Sequence, residues 1–230
     1  MELVHIVAHP GRPEGEPDGP VPAVIAIHGH GAHAQDLLGL APVLAGGRLL
    51  MICPEAEFVL QPGQLSFTWF NREPDGGRSG AEFERVAGLL DGFIDRAVER
   101  YGADPERLAL LGFSQGGTLA YRLGLAFPER FAALAALSTW LPDEAVEHAA
   151  QGEALSRLPV LVQHGSRDPL VDVVRARESR ERLQQIGVEA DYREYEMEHQ
   201  IGPESVSDLS SFLERSLDLT EPDPKSNGAD

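Results

Sequence analysis

Apolar residues along this chain come in short runs separated by segments of a different period. Residues 2–8, 22–28, 48–53, 107–113, 132–138, 159–164 and 190–195 read as strands. From Ala81 to Tyr101 the spacing changes. Phe83, Val86, Leu90, Phe93, Ala97 and Tyr101 recur at steps of three and four, while Glu82, Glu84, Asp91, Asp95 and Glu99 mostly fall elsewhere. That pattern predicts an amphipathic helix. Gly102 closes it, and Asp104-Pro105 starts the turn into the next strand. Further helices are expected at 115–127, 143–151, 171–187 and 203–217. Strands alternating with helices predict an α/β fold: a mostly parallel central sheet with helices on both faces.

Three stretches fit neither period. Pro10 to Pro20 is rich in Pro, Gly and acidic residues and reads as a surface loop. Residues 56–79 hold Phe58, Phe67, Trp69 and Phe70 among Pro, Gly and polar residues. A long loop with that many aromatics is usually functional or packed down as a lid. The acidic tail 220–230 has nothing to bury and is expected to be disordered, leaving residues 1–219 as a single domain.

Charge narrows the function. Thirty-seven acidic against 19 basic residues give a net −18, which repels nucleic acid phosphates and anionic lipids. No apolar run is long enough for a membrane span. Met1 to His5 lacks the basic start and apolar core of a signal peptide, and a cytoplasmic location is expected. Cys53, the one cysteine, lies in the apolar run Leu49 to Cys53 and reads as inert core packing. Lys225, the one lysine, sits in the tail, which leaves lysine chemistry almost without a candidate.

The chemical signal is Leu108-Ala109-Leu110-Leu111-Gly112-Phe113-Ser114-Gln115-Gly116-Gly117: an apolar strand, a Gly-x-Ser-x-Gly-Gly turn, then a helix. A serine nucleophile needs a sharp turn that projects its hydroxyl above the sheet. Side chains two residues to either side would collide there, hence Gly112 and Gly116; Gly117 lets the helix pack closely. A phosphate loop is the alternative for a Gly-rich turn, but its Gly-Lys-Ser/Thr ending is missing.

Serine needs a base, and the base needs an orienting carboxylate, in the chain order Ser, acid, His for this kind of turn. Asp168 follows the apolar strand ending in His164-Gly165, where ligand and catalytic groups collect in open α/β sheets. Downstream of Asp168 only His199 remains. Asp172 is a rival acid whose plainer fate is a salt bridge with Arg175 or Arg177.

Ala23 to Ile27 runs into His28-Gly29-His30-Gly31, whose glycines let backbone N–H groups approach a carbonyl. The His30 N–H is the candidate first oxyanion donor and the Gln115 N–H the second. His28, His30 and His33, with Asp36 beyond, also spell a possible zinc site, which would make the chain a metal-dependent hydrolase. A third reading is a non-catalytic binding protein on a hydrolase fold.

These residues resemble the phospholipase/carboxylesterase family of small serine hydrolases, which includes the acyl-protein thioesterases. The matching pieces are His28-Gly29-His30-Gly31 with Asp36, Trp69-Phe70, Asp104-Pro105-Glu106-Arg107, Gly112 to Gly117, His164-Gly165 with Asp168, and His199. The resemblance implies an α/β-hydrolase fold without a large cap domain, no metal or organic cofactor, and hydrolysis of short to medium acyl esters or thioesters. The substrate would be a small acyl ester or thioester, or an acylated protein. By matched position Ser114 is the nucleophile, Asp168 the acid, His199 the base, and the His30 and Gln115 amides the oxyanion hole. Trp69, Phe70 and Trp140 are candidate walls of the substrate pocket, with core packing the alternative for the first two. The chain departs from the family pattern at Glu198, where Gly is frequent before the histidine, and at Ser138-Thr139-Trp140, where Ser-Gly is frequent. Dienelactone hydrolases share the fold but use Cys as nucleophile. Monomer and homodimer both remain open, because the apolar Leu209, Phe212, Leu213 and Leu217 of the last helix could cover their own sheet or a partner.

Overall fold

A computed structural model describes residues 3–11, 19–70 and 79–219. Part of the Pro10–Pro20 loop, the end of the aromatic stretch and the acidic tail lie outside them. The strands are β1 (His5–Ala8), β2 (Val21–Ile27), β3 (Leu50–Pro54), β4 (Phe58–Val59), β5 (Phe67–Thr68), β6 (Ala103–Phe113), β7 (Ala133–Leu137), β8 (Val160–Gly165) and β9 (Ala190–Tyr195). The helices are α1 (Ala34–Leu38), α2 (Gly80–Tyr101), α3 (Gln115–Ala126), α4 (Asp143–Glu147), α5 (Glu153–Arg157), α6 (Val173–Gln185) and α7 (Pro203–Ser216).

Among the described residues seven strands form one sheet in the order β1-β3-β2-β6-β7-β8-β9, parallel throughout except for the antiparallel β1–β3 pair at one edge. The expected sheet is therefore present, and both faces are covered. Along β2, Ala23, Ile25 and Ile27 join the core under α2, α3 and α6, while Val24 and Ala26 join the core under α1 and α7. Burial on both faces is why these strands are apolar without alternation.

Helix α2 buries Phe83, Val86, Ala87, Leu90, Phe93, Ile94 and Ala97, each large side chain contributing roughly 1.5–3 kcal/mol. The Ser79 hydroxyl caps its start, and Gly102 at φ 65° ends it, as expected. Leu209, Phe212, Leu213 and Leu217 are buried against the chain's own sheet, so the apolar face of α7 is already covered.

Some boundaries differ. The helix expected at 143–151 stops at Glu147, because the Ala150 N–H turns to the Leu125 carbonyl and Gly152 adopts φ 99°. Asp104-Pro105 does make a turn, but inside β6: β2 pairs Val21 with Ala103 and then Ala23 with Leu108, so residues 104–107 bulge out. Asp104 holds the bulge by accepting hydrogen bonds from the Glu106 N–H (3.0 Å) and Arg107 Nε (2.7 Å). The short elements α1, α5 and the β4–β5 hairpin were not expected.

Candidate active site

Ser114 stands between β6 and α3 at φ 53°, ψ −118°, a conformation that costs a non-glycine residue of order 1–3 kcal/mol. The surroundings hold it there. Its N–H donates to the Leu137 carbonyl (2.9 Å), and its carbonyl accepts from the Gly117 N–H (3.0 Å) and the Thr139 hydroxyl (2.7 Å). The glycines around it leave no room for a Cβ. One on Gly112 would lie 2.4 Å from the Gly116 carbonyl oxygen, and one on Gly116 only 2.1 Å from that of Ile27. One on Gly117 would meet the Thr139 side chain at 2.5 Å. Gly116→Ala must push apart β2 and α3 by their backbones, so a loss of about 3 kcal/mol is expected, seen as a fall in Tm of roughly 6–12 °C. An unchanged melting curve would show that the turn relaxes freely.

Asp168 lies on the loop after β8, with its carboxyl fully engaged. Oδ1 accepts from the N–H groups of Leu170 and Val171, both at 2.9 Å, and Oδ2 lies 2.7 Å from His199 Nδ1. Burial alone would raise the Asp168 pKa, but the Val171 N–H, the His199 imidazole and the Leu170 N–H outweigh it and hold it below the ordinary carboxylate value. Behind this pair, His164 is fully buried, its Nε2 2.8 Å from the Val171 carbonyl and 3.4 Å from Asp168 Oδ2. Burial lowers its pKa against the pull of Val171 and Asp168, so it stays neutral beside the carboxylate. Asp172 takes neither suggested role: its side chain accepts from the Val174 N–H and caps α6, while Arg177 pairs with Glu194.

The loop carrying His199 crosses close over Gly165, where a Cβ would come 2.4 Å from the Met197 and Glu198 carbonyl oxygens. Glu198 itself is exposed with an ordinary negative φ, so the turn makes no demand for glycine there. The His199 ring packs on Phe113 (4.9 Å between centroids) and faces the same cavity as Ser114. No hydrogen bond joins Ser114 Oγ to His199 among the described residues; such contacts are often loose before substrate binds.

His30 and Gln115 also line this cavity. Gly29 brings the His30 loop within 3.1 Å of Ser114 Cβ, measured from an added Cβ, and the Gly31 N–H binds the Phe67 carbonyl at 2.8 Å. The residue that connects the two, Thr68, was missed from sequence. Its hydroxyl lies 3.0 Å from His30 Nδ1, 3.0 Å from Gln115 Nε2 and 2.9 Å from the Phe70 carbonyl. A hydroxyl has one proton, so it donates to Phe70 and accepts from the other two. Gln115 Oε1 in turn accepts from the Trp69 N–H at 2.9 Å. Thr68→Val strips partners from three groups at once. It should lower kcat about tenfold, less than loss of an oxyanion donor outright, with KM little changed; Thr68→Ser should restore it. A kcat that does not move would leave Thr68 a purely structural role.

The cavity, of about 740 Å³, is walled by Phe70, Phe113, Trp140, Leu141, Pro142, Leu170 and Val171. Phe70 and Trp140 are thus where a wall requires. Trp69 is not, and its assignment to the wall is corrected: it is fully buried, its ring 5.2 Å from His28 and its Nε1 donating to the His28 carbonyl at 2.9 Å. The possible zinc ligands do not converge. His28 meets Glu55 at 2.8 Å, His30 meets Thr68, and His33 meets Asp36 at 3.3 Å; no metal-binding group of three or more His, Cys, Asp and Glu residues forms among the described residues. Cys53 is buried in β3, and burial together with Glu55 pushes its thiol up to about 12, leaving it protonated and inert. No helix among the described residues is long and apolar enough to cross a membrane.

The sequence profile of the Phospholipase/Carboxylesterase family matches residues 15–217. Acyl-protein thioesterase 1 of Gibberella zeae is 32% identical over 119 residues, a match spanning 50% of this chain and about half (51%) of that relative. Acyl-protein thioesterase 1 of Mycosarcoma maydis is 28% identical over 222 residues, covering 85% and 91% of the two chains. Among solved structures, esterase PE8 superposes with a TM-score of 0.80 at 24% identity, covering 94% of this chain and 99% of its own. A Bacillus cereus carboxylesterase gives 0.75 at 19% identity, with 93% and 94% covered. These two likenesses establish the α/β-hydrolase fold.

Proposed function

The chain belongs to the phospholipase/carboxylesterase family of serine hydrolases, and from that premise we propose that it cleaves short- to medium-chain acyl esters or thioesters through a Ser114–His199–Asp168 triad. The observation that carries this reading is the 2.7 Å Asp168–His199 contact beside a strained Ser114 on one cavity. His199, held by Asp168, takes the Ser114 proton as the oxygen attacks the acyl carbon. The amides of His30 and Gln115 stabilise the oxyanion, each worth roughly 3–4 kcal/mol in the transition state. His199 then protonates the leaving group, and water cleaves the acyl-enzyme by the same route reversed.

Several supports are independent of the triad. The mostly apolar wall suits an acyl chain, and the relatives' names favour thioesters, including those of acylated proteins, as a second substrate class. A lone, buried thiol suits a reducing cytoplasm. Residues 1–219 are read as one catalytic domain, active without a cofactor.

The test is hydrolysis of p-nitrophenyl esters from acetate to dodecanoate, beside matched acyl thioesters, with EDTA present. Turnover that survives EDTA and peaks at one chain length is expected, and that peak measures the pocket. Turnover abolished by EDTA, or none with any ester or thioester, would overturn the reading.

A further inference from the structure

At the rim of the catalytic cavity, the guanidinium of Arg175, near the start of α6, lies over the indole of Trp140 at 4.0 Å from the ring centroid. Both residues line the space that Ser114 and His199 face. They meet only in the folded chain, because Trp140 follows β7 and Arg175 follows β8.

Many arginines among the described residues are paired with a carboxylate. Arg182, two turns further along α6 and also on the cavity, gives Nη1 to the Leu141 carbonyl (2.9 Å) and Nη2 to Asp143 (2.7 Å). Arg177, which does not line the cavity, is paired with Glu194. Arg175 has no carboxylate within 4 Å among the described residues; Glu178 acts on it only at longer range. The other acid on the cavity, Glu144, has its carboxylate beside the start of α2, 3.7 Å from where a Cβ on Gly80 would sit. Partial burial lowers the Arg175 pKa against the opposing pull of Glu178, as expected for a cation stripped of some water without a close counter-charge. It remains charged at any working pH.

A guanidinium resting on an indole has one face covered by the ring and its N–H edge left for a planar anion. On a chain of net charge −18 the overall field repels anions; among the described arginines without a close carboxylate, Arg175 is set apart from Arg96, Arg180 and Arg215 by lining the cavity of Ser114 and His199. The same cavity is lined by Leu141, Leu170 and Val171, which suit an apolar spacer.

We propose that Arg175, stacked on Trp140, is a specificity residue that binds an anionic group of the substrate, so that the preferred esters or thioesters carry a carboxylate or phosphate separated from the scissile carbonyl by an apolar spacer. This rests on the esterase reading above and names its substrate class.

The experiment compares kcat/KM for matched pairs in wild type, Arg175→Gln and Arg175→Lys. On the acyl side the pair is the p-nitrophenyl half-ester of adipate against p-nitrophenyl hexanoate. On the leaving-group side it is the butyrate ester of 4-hydroxybenzoate against that of 4-hydroxybenzamide. The anionic-to-neutral ratio should fall about tenfold or more in Arg175→Gln in one arm, which identifies the side bearing the anion, and Arg175→Lys should keep much of it. Added salt should lower the wild-type ratio in that same arm. A ratio equal in wild type and Arg175→Gln in both arms, with neutral esters still cleaved, overturns the anion site and leaves the esterase reading standing. If no ester or thioester is cleaved, the esterase reading fails, and tryptophan fluorescence of Ser114→Ala titrated with monomethyl adipate decides the anion site. A saturable change lost on adding Arg175→Gln supports it, and no change, or one that persists, overturns it.

Discussion

Ser114→Ala should hydrolyse p-nitrophenyl butyrate at least about 10⁴-fold more slowly than wild type, with the fold and melting temperature unchanged. The rate term follows from the chemistry. Without Oγ there is no acyl-enzyme, and only the oxyanion donors and substrate positioning remain to assist a direct attack by water. The stability term follows from the structure. Ser114 Oγ makes no hydrogen bond to another described residue, and the contacts that hold residue 114 in its turn are those of its backbone. Alanine keeps the Cβ, so the strain at φ 53° is neither relieved nor increased. A phosphonate ester should add its mass to wild type at one site and leave the variant unlabelled. A variant within tenfold of wild type, or labelled elsewhere, would remove Ser114 from the reaction.

The Ser114 turn was legible because local sequence alone forces it. An apolar strand, glycines at fixed offsets and a helix start define the turn without reference to distant residues, and Gly112, Gly116 and Gly117 proved to be crowded by backbone or by Thr139. The pairing of Asp168 with His199 was legible from chain order, since each follows a strand of one parallel sheet and such strands end on the same side. What remained hidden depends on contacts between distant segments. Trp69 and Phe70 are adjacent aromatics in one irregular stretch, yet one is locked under His28 and the other faces the cavity. Composition cannot tell these fates apart. Thr68 gave only a faint signal, a polar residue inside an aromatic run, and its meaning lies in meeting His30 and Gln115 from other elements. The three histidines after β2 matched a metal spacing, but spacing does not fix direction, and their partners are Glu55, Thr68 and Asp36. Asp104-Pro105 was read as a turn ahead of the strand at 107–113, yet it lies inside β6, because β2 already pairs with Ala103 and resumes its ladder at Leu108 beyond the bulge.

Asp168→Asn should lower kcat by about 10⁴-fold while leaving the backbone turn in place. The reason is the direction in which asparagine must point. Oδ1 of Asp168 accepts two backbone N–H groups, from Leu170 and Val171. An asparagine must keep its carbonyl oxygen on that side, since an NH₂ there would face two donors. The NH₂ is then aimed at His199 Nδ1, which must accept, so the ring proton moves to Nε2. In that tautomer His199 offers a proton to Ser114 and cannot take one. Glu at the same position should be a weaker lesion, since it keeps an acceptor but displaces it. The acid limb of stability provides a second readout. The Asp168 pKa is lower folded than unfolded, so ionised Asp168 stabilises the fold at pH values above the ordinary carboxylate value of about 4. That contribution is lost as pH falls through the lowered folded value. Wild type should therefore lose stability more steeply than Asp168→Asn as pH falls below about 4, because the variant has no proton to take up at this site. Urea unfolding at a series of pH values measures it. If the two stability curves run parallel and the variant keeps its activity, Asp168 neither orients His199 nor carries a depressed pKa, and the acid of the triad must be sought elsewhere.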